Sequence, residues 1–218
     1  MRNFQVAIDG PAGSGKSSIS EIISKRIGFT HIDTGAMYRA VTLEAMRRNI
    51  DLGDESQYNF IDSIDLIYKD DKTLLEGEDV SNEIRSVTVT RNVSLVSSLK
   101  RVRDKMVYFQ RESASHGLVL MDGRDIGTVV LPNADVKIFL TASPEERAKR
   151  RLKELVEKGV PSDYETVLED IKIRDYKDSH RAIAPLTKAL DAVEIDTTSM
   201  TMEEVCNRII EVINERMK

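Results

Sequence analysis

Eight consecutive residues near the start of the chain, Gly10-Pro11-Ala12-Gly13-Ser14-Gly15-Lys16-Ser17, constrain it more than any others. They follow a short apolar run, Phe4 to Ile8, that ends at Asp9, and they precede Ile19, Ile22, Ile23 and Ile27 at helical spacing. Strand, tight loop and helix in that order, with the spacing G-x-x-x-x-G-K-[ST], form a phosphate cradle. Glycines let successive backbone N–H groups point into one concavity, and the helix N-terminus adds partial positive charge at the same place. Lys16 would reach the outer phosphates of a nucleotide, and the Ser17 hydroxyl would ligate Mg²⁺.

The next segments repeat the alternation of strand and helix. Thr30-His31-Ile32 reads as a second strand leading into Asp33-Thr34-Gly35, and Met37, Ala40, Val41 and Ala45 continue as a helix. That βαβ order predicts a parallel sheet. Between Ile64 and Val80 the pattern changes to a small hairpin turning at Lys69-Asp70-Asp71-Lys72, and Ser81-Asn82-Glu83 resembles a helix start. This reads as an insertion, with helices near Val87 to Leu99 and Val102 to Arg111 returning the chain to the sheet. Gly117 to Met121 and Val136 to Leu140 are short, apolar and bounded by turn residues, as buried strands are. Helices over Pro144 to Val156 and Tyr164 to Tyr176, a strand at Val193 to Asp196, and a last helix through Val205, Ile209, Val212 and Ile213 complete the pattern.

A length of 218 residues suits one core with an insertion better than two large domains. With 40% hydrophobic and 32% charged residues, the chain has material for a core and too little bias for disorder. The 32 basic and 37 acidic residues leave a net charge of −5, which argues against a surface built to hold long nucleic acid. A local arginine cluster remains compatible with small anions, because the field in a cleft is set by its nearest charges. The single cysteine, Cys206, excludes an internal disulfide and a four-cysteine zinc site, and fits the apolar side of the last helix. His31, His116 and His180 have no metal-ligand spacing to one another. The apolar run at Phe4 to Ile8 is too short for a signal peptide, and no stretch approaches a membrane span, so a cytoplasmic location is expected.

Asp122 ends the Gly117 strand and is the expected magnesium carboxylate, acting through water. Motors that hydrolyse ATP commonly place a glutamate directly after that aspartate, whereas Gly123 follows here, and Thr187-Lys188-Ala189-Leu190 fails as a GTPase base reader. Hydrolysis and switching are thereby disfavoured. The chain instead offers Arg39, Arg103, Arg124, Arg147, Arg150, Arg151, Arg174 and Arg181, at or near predicted strand ends and helix starts. Phosphoryl transfer between two anionic nucleotides needs such cations. A uridylate or shikimate kinase, a nucleotide-switched regulator and an RNA-associated NTPase are the competing readings.

Six segments resemble bacterial cytidylate kinases in order along essentially the whole chain: Gly10 to Ser17, Asp33 to Arg39, Leu75 to Val80, Asp122 to Val130, Glu146 to Arg151 and Arg181 to Leu186. The resemblance implies a P-loop nucleoside monophosphate kinase fold, a five-stranded parallel sheet flanked by helices. Its core would be residues 1–35 and 116–218, with residues 36–115 as the monophosphate-binding insertion and a short lid at about 151–165. It implies transfer of the γ-phosphoryl group of ATP to CMP and dCMP with Mg²⁺, by a monomer. ATP would lie on Gly10 through Ser18, with Arg147 and Arg151 near its adenine and phosphates. Thr34, Arg39, Arg124 and Arg181 would grip the acceptor phosphate, with Tyr38 packing nearby. Ser94, Arg103 and Asp125 would face the cytosine, and Arg174 and Asp178 its sugar. Lys16, Arg39, Arg124 and Arg181 would carry catalysis. His180 stands where the family pattern has asparagine.

Cytosine presents an amine donor beside two acceptors, so a carboxylate next to an arginine matches its edge, and uracil reverses that order. No strong general base is required, because the acceptor is already a phosphate anion; alignment and charge stabilisation suffice. Closure over the γ-phosphate is expected from the break Glu157 to Ser162.

Overall fold

The computed structural model describes residues 3–69 and 71–218; Met1, Arg2 and the hairpin position Asp70 lie outside the described residues. Five parallel strands form the main sheet in the order β2 (Thr30–Asp33), β6 (Leu118–Gly123), β1 (Phe4–Asp9), β7 (Val136–Thr141) and β8 (Val193–Asp196). The fold is therefore α/β with a parallel sheet, as the alternation predicted. Strand side chains alternate between two cores. Val119 and Met121 of β6 join Ala7 on one face, while Leu120 joins Val6, Ile8, Ile138 and Leu140 on the other. Helices α1 (Lys16–Ile27) and α7 (Met202–Met217) cover the second face, where Ile19, Ile23, Cys206, Ile209 and Ile213 are buried. Helices α2 (Thr34–Arg47), α3 (Val87–Val96) and α4 (Lys100–Ser113) supply the first.

The middle of the chain differs from its sequence reading in two places. The hairpin gains a third strand: β3 (Leu66–Lys69) and β4 (Lys72–Leu75) pair with each other, and β5 (Glu78–Asp79) pairs with β4. The expected helix start at Ser81 is absent, because Ser81 Oγ is engaged locally, accepting the Thr73 N–H at 2.9 Å and bonding Asp79. A single 3₁₀ turn over Glu83–Arg85 follows, and α3 begins only after Ser86, whose hydroxyl accepts from the Val89 N–H. A further 3₁₀ stretch, Glu55–Asp62, and a π-helical turn, Ile126–Val130, carry no period that the sequence displays.

Helices α5 (Pro144–Glu157) and α6 (Tyr164–His180) pack on one another around Ala148, Leu155, Val167 and Ile171, a small apolar cluster separate from both main cores. Among the described residues no helix is long and apolar enough to cross a membrane.

Candidate active site

Parallel register brings the carboxyl ends of β1, β2 and β6 to one edge of the sheet, with Asp9 level with Gly123 and Asp33 level with Asp122. Ligands of open α/β sheets bind beyond that edge. The phosphate loop leaves β1 there, and Gly10, at φ 152°, passes so close to β7 that a Cβ would lie 2.0 Å from the Leu140 carbonyl oxygen.

Within the loop, Lys16 is buried and its Nζ donates to the Pro11 carbonyl at 2.8 Å and to Ser14 Oγ at 3.3 Å. Burial, reinforced by the Arg124 charge, holds the Lys16 ammonium well below its ordinary range against the pull of Asp122 and Asp9. Ser17 Oγ donates to Asp122 Oδ1 at 2.9 Å. Ser18 is exposed on the next turn position of α1. Thr34, first residue of α2, donates its hydroxyl to the Asp122 carbonyl at 2.7 Å. That contact explains Gly123, where a Cβ would lie 2.6 Å from Thr34 Oγ1 and 2.6 Å from Ile126 Cδ1. A glutamate directly after Asp122 would collide with both.

Behind the loop, Arg147 spends its guanidinium on protein atoms. Nε donates to the Ala142 carbonyl at 2.9 Å, Nη1 to the Ala12 carbonyl at 3.0 Å, and the fork closes on Asp175 at 3.0 and 2.6 Å. Arg151, one turn further, is half-buried and bonds Glu154. Arg150 is tied to the Thr197 carbonyl at 2.7 Å, which takes it out of the set of arginines around the phosphate loop.

The remaining arginines gather around three carboxylates. Arg39 donates to Asp33 at 2.9 Å, and the same carboxylate caps α2 by accepting the Ala36 N–H. Asp125 receives Arg103, and Arg181 at 3.1 Å. The Arg103 guanidinium also lies 5.7 Å from the Tyr38 ring centroid. Asp178 accepts from Arg124 Nε at 3.0 Å and from Ser94 Oγ at 2.9 Å, with Arg174 Nε 3.9 Å away. Ser94 thus bonds Asp178, and its carbonyl accepts from Ser97, whose own carbonyl accepts from Arg103 at 3.3 Å, so it lies between the two groups. Arg150, Arg151 and Arg174 sit inside helices, a correction to their expected places near element ends; the i,i+4 repeat puts Arg174 and Asp178 on one face of α6.

The charges act on one another across these groups. Burial, then the Arg124 charge, lowers Arg174 to about 10, with Arg39 and Arg151 adding to the effect. Burial also depresses Arg181, against Asp125. Burial would raise Asp178, but Arg124 and Arg174 outweigh it and hold its carboxyl below the usual range. Tyr38 is pushed up to about 12 by burial, so its phenol stays neutral. Among the described residues the ion pairs of Arg39, Arg103, Arg124, Arg174 and Arg181 are with Asp33, Asp125 and Asp178, five cations on three carboxylates inside an acidic chain.

His180 ends α6 stacked on Tyr176, with ring centroids 4.1 Å apart, and Nδ1 bonds the Tyr176 carbonyl at 2.9 Å. The departure from asparagine is accommodated on the outside of the helix while Arg181 still reaches Asp125.

Several groups at this edge had no role in the sequence reading. Asp9 is buried and accepts the N–H groups of Ile126 and Gly127, both at 2.7 Å; burial, against those two bonds, raises its carboxyl to about 6. Its place next to the glycine loop was the available signal. Asp33 was visible inside Asp33-Thr34-Gly35. His31 bonds Asp122 Oδ2 at 2.8 Å and Asp71 Oδ1 at 2.9 Å. Burial would lower the imidazolium, but Asp122 and Asp71 outweigh it and raise it to about 9. Neither His31 nor Asp175 carries a local signal, since their partners are far along the chain.

Ser17 and Asp122 offer hard oxygen atoms at the mouth of the loop, the donor chemistry of a Mg²⁺ site. Among the described residues no group of three or more His, Cys, Asp or Glu side chains could hold a metal by itself. That donor set fits an ion whose other ligands are phosphate and water.

A family model described as cytidylate kinase matches residues 6–215. The chain is 52% identical over 220 residues to the cytidylate kinase of Lactobacillus johnsonii, covering 99% of this chain and 96% of the relative. It is 52% identical over 213 residues to that of Acholeplasma laidlawii, covering 98% and 96%. Among solved structures, a gluconokinase from Sinorhizobium meliloti superposes with TM-score 0.52 at 13% identity, covering 98% of this chain and 93% of that one. TT1252 from Thermus thermophilus gives 0.51 at 15% identity over 100% of both chains. At such identities the two structures share the fold alone.

Proposed function

The chain belongs to the cytidylate kinase family and is an ATP-dependent kinase of CMP and dCMP; we propose that the transfer is direct and in line, between a nucleotide on the phosphate loop and one held by the carboxylate-paired arginines. The observation that carries this reading is the buried Arg103–Asp125–Arg181 group at the same sheet edge as Lys16. ATP lies along Gly10, Pro11, Ala12, Gly13, Ser14, Gly15, Lys16, Ser17 and Ser18. Arg147 holds the loop in shape from behind through Ala12, and Arg151 approaches from α5. Lys16 neutralises charge developing on the outer phosphates.

The acceptor phosphate falls to Thr34, Arg39, Arg124 and Arg181. Asp33, Asp178 and Asp125 fix the planes of those three guanidinium groups, so the fork geometry is set in advance. Asp125 accepts from the cytosine amine and Arg103 donates to the ring acceptors, with Tyr38 against the base. Ser94 faces the base beside them, and Arg174 and Asp178 hold the sugar. A uracil carbonyl opposite Asp125 would leave buried acceptors facing each other, which disfavours UMP.

Ser17 directly, and Asp122 through water, would hold Mg²⁺, which would supply charge neutralisation at the nucleotide phosphates. No side chain is required as a general base. Residues 1–35 and 116–218 serve as core, residues 36–115 as the acceptor-binding insertion, and about 151–165 as a lid; the separate apolar cluster of α5 and α6 supports motion of that hairpin as a unit. A cytoplasmic monomer acting on free nucleotides, without long nucleic acid, agrees with the acidic composition.

The test is ADP formation by purified protein with Mg²⁺ and ATP, supplied with CMP, dCMP, UMP, AMP or no acceptor. Turnover with CMP and dCMP well above all other arms is expected. Equal ADP release without any monophosphate would replace transfer with hydrolysis.

A further inference from the structure

We infer that His31 is a positioning residue that fixes the Asp122 carboxylate and latches the turn of the β3–β4 hairpin onto the phosphate site. The inference rests on the reading of Asp122 as the magnesium carboxylate. Both ring nitrogens of His31 face carboxylate oxygens, Nε2 to Asp122 Oδ2 at 2.8 Å and Nδ1 to Asp71 Oδ1 at 2.9 Å. Ionised carboxylates only accept, so the ring donates from both sides.

Asp122 is thereby held at both oxygens, Oδ1 by the Ser17 hydroxyl and Oδ2 by His31. Two donors on opposite oxygens stop the carboxylate from rotating. One face remains directed at the phosphate loop, where a water of the bound ion would sit. The second partner is what makes His31 more than a local prop. Asp71 belongs to the hairpin turn, where its φ of 59° is the left-handed conformation that aspartate tolerates. Its Oδ1 also accepts from Tyr68 Oη at 3.3 Å, and the Tyr68 ring meets His31 edge-on at 6.2 Å between centroids. Lys25 of α1 lies 3.5 Å from Asp71 Oδ2. Hairpin turn, β2 and the end of β6 are thus joined by one chain of charge-assisted bonds, through a histidine side chain that is 7% exposed.

The test compares ADP affinity with and without Mg²⁺ by calorimetry, alongside the free Mg²⁺ needed for half-maximal CMP phosphorylation. His31→Leu, which donates to neither carboxylate, is expected to lower the Mg²⁺-dependent gain in ADP affinity about 10-fold. It should raise half-saturating Mg²⁺ by a similar factor and leave KM for CMP within about 2-fold. His31→Gln, whose amide still reaches Asp122 as a donor, is expected within about 3-fold of the parent, and Asp71→Asn likewise. Asp122→Asn is run beside them. If Asp122→Asn abolishes the Mg²⁺ gain while His31→Leu leaves it unchanged or enlarges it, the positioning role is overturned and the metal reading stands. If Asp122→Asn itself leaves the gain unchanged, the metal reading fails and takes the inference with it. Should His31→Leu fail to fold, His31→Phe, which fills the same space and donates to neither carboxylate, takes its place: a lowered gain supports the role, and a gain equal to the parent's overturns it.

Discussion

In the proposed reading the phosphate loop and the arginine pocket would hold the same chemical group by opposite means. The loop is eight contiguous residues whose amides and one buried lysine make the cup. The pocket is assembled from α2, α3, α4, the end of β6 and α6, and Arg103, Arg124 and Arg181 in it are aimed by carboxylates from other elements. A backbone cup recognises phosphate of any nucleotide. Paired side chains can in addition read a base, because their donors and acceptors sit at fixed places. Under the proposed assignment, generic binding of the donor and selective binding of the acceptor would follow from that difference.

Removing the cup's one charge should have the largest effect. Lys16→Ala is expected to cut kcat about 10³-fold with KM for CMP changed little, since a buried charge aimed at the transferring phosphoryl is lost. A loss confined to KM for ATP would place the catalytic charge in the pocket instead. Next, Asp125→Ala should lower kcat/KM for CMP by about 100-fold or more, and for UMP by far less. Equal losses would mean that the pocket reads phosphate alone, and the contrast with the loop would disappear.

Asp9 joins the two regions, leaving β1 at the loop and capping the turn that follows Arg124 and Asp125. Its folded pKa of about 6 lies above the ordinary 3.8, so the folded state binds the extra proton. Its contribution to stability is therefore greatest below about pH 4 and declines as pH rises towards 6. The decline is at most about 3 kcal/mol relative to Asp9→Asn. Urea unfolding of both proteins at pH 4.5 and 7 measures it; a gap that widens in the other direction would contradict burial as the cause. Smallest is Arg147→Met, expected to cost about 2 kcal/mol of stability and to raise KM for ATP several-fold while leaving KM for CMP alone. Matching changes in both KM values would show that the loop is not braced independently of the pocket.

The same contrast decides what was legible in the sequence. The loop is local, so its motif and flanking periodicity placed Lys16 and Ser17 on the first turn of α1 without any tertiary information. The pocket is not. Ser94 meets Asp178 across 84 residues and His31 meets Asp122 across 91, and no periodicity encodes such pairs. Resemblance named most pocket residues, Asp125 and Asp178 among them, yet it gave no role to Asp33, which holds Arg39, to Asp175, which holds Arg147, or to His31, which holds Asp122. The misread helix start at Ser81 has a physical cause, since a serine hydroxyl serves a strand N–H as readily as a helix end.

The most direct measurement is the affinity of a bisubstrate analogue, adenosine and cytidine joined through their 5′ positions by five phosphates, set against ATP and CMP measured separately. Two nucleotides held end to end require the analogue to bind orders of magnitude more tightly than either and to displace both. An analogue that competes with only one of them, or binds no better than ATP, would contradict the shared site.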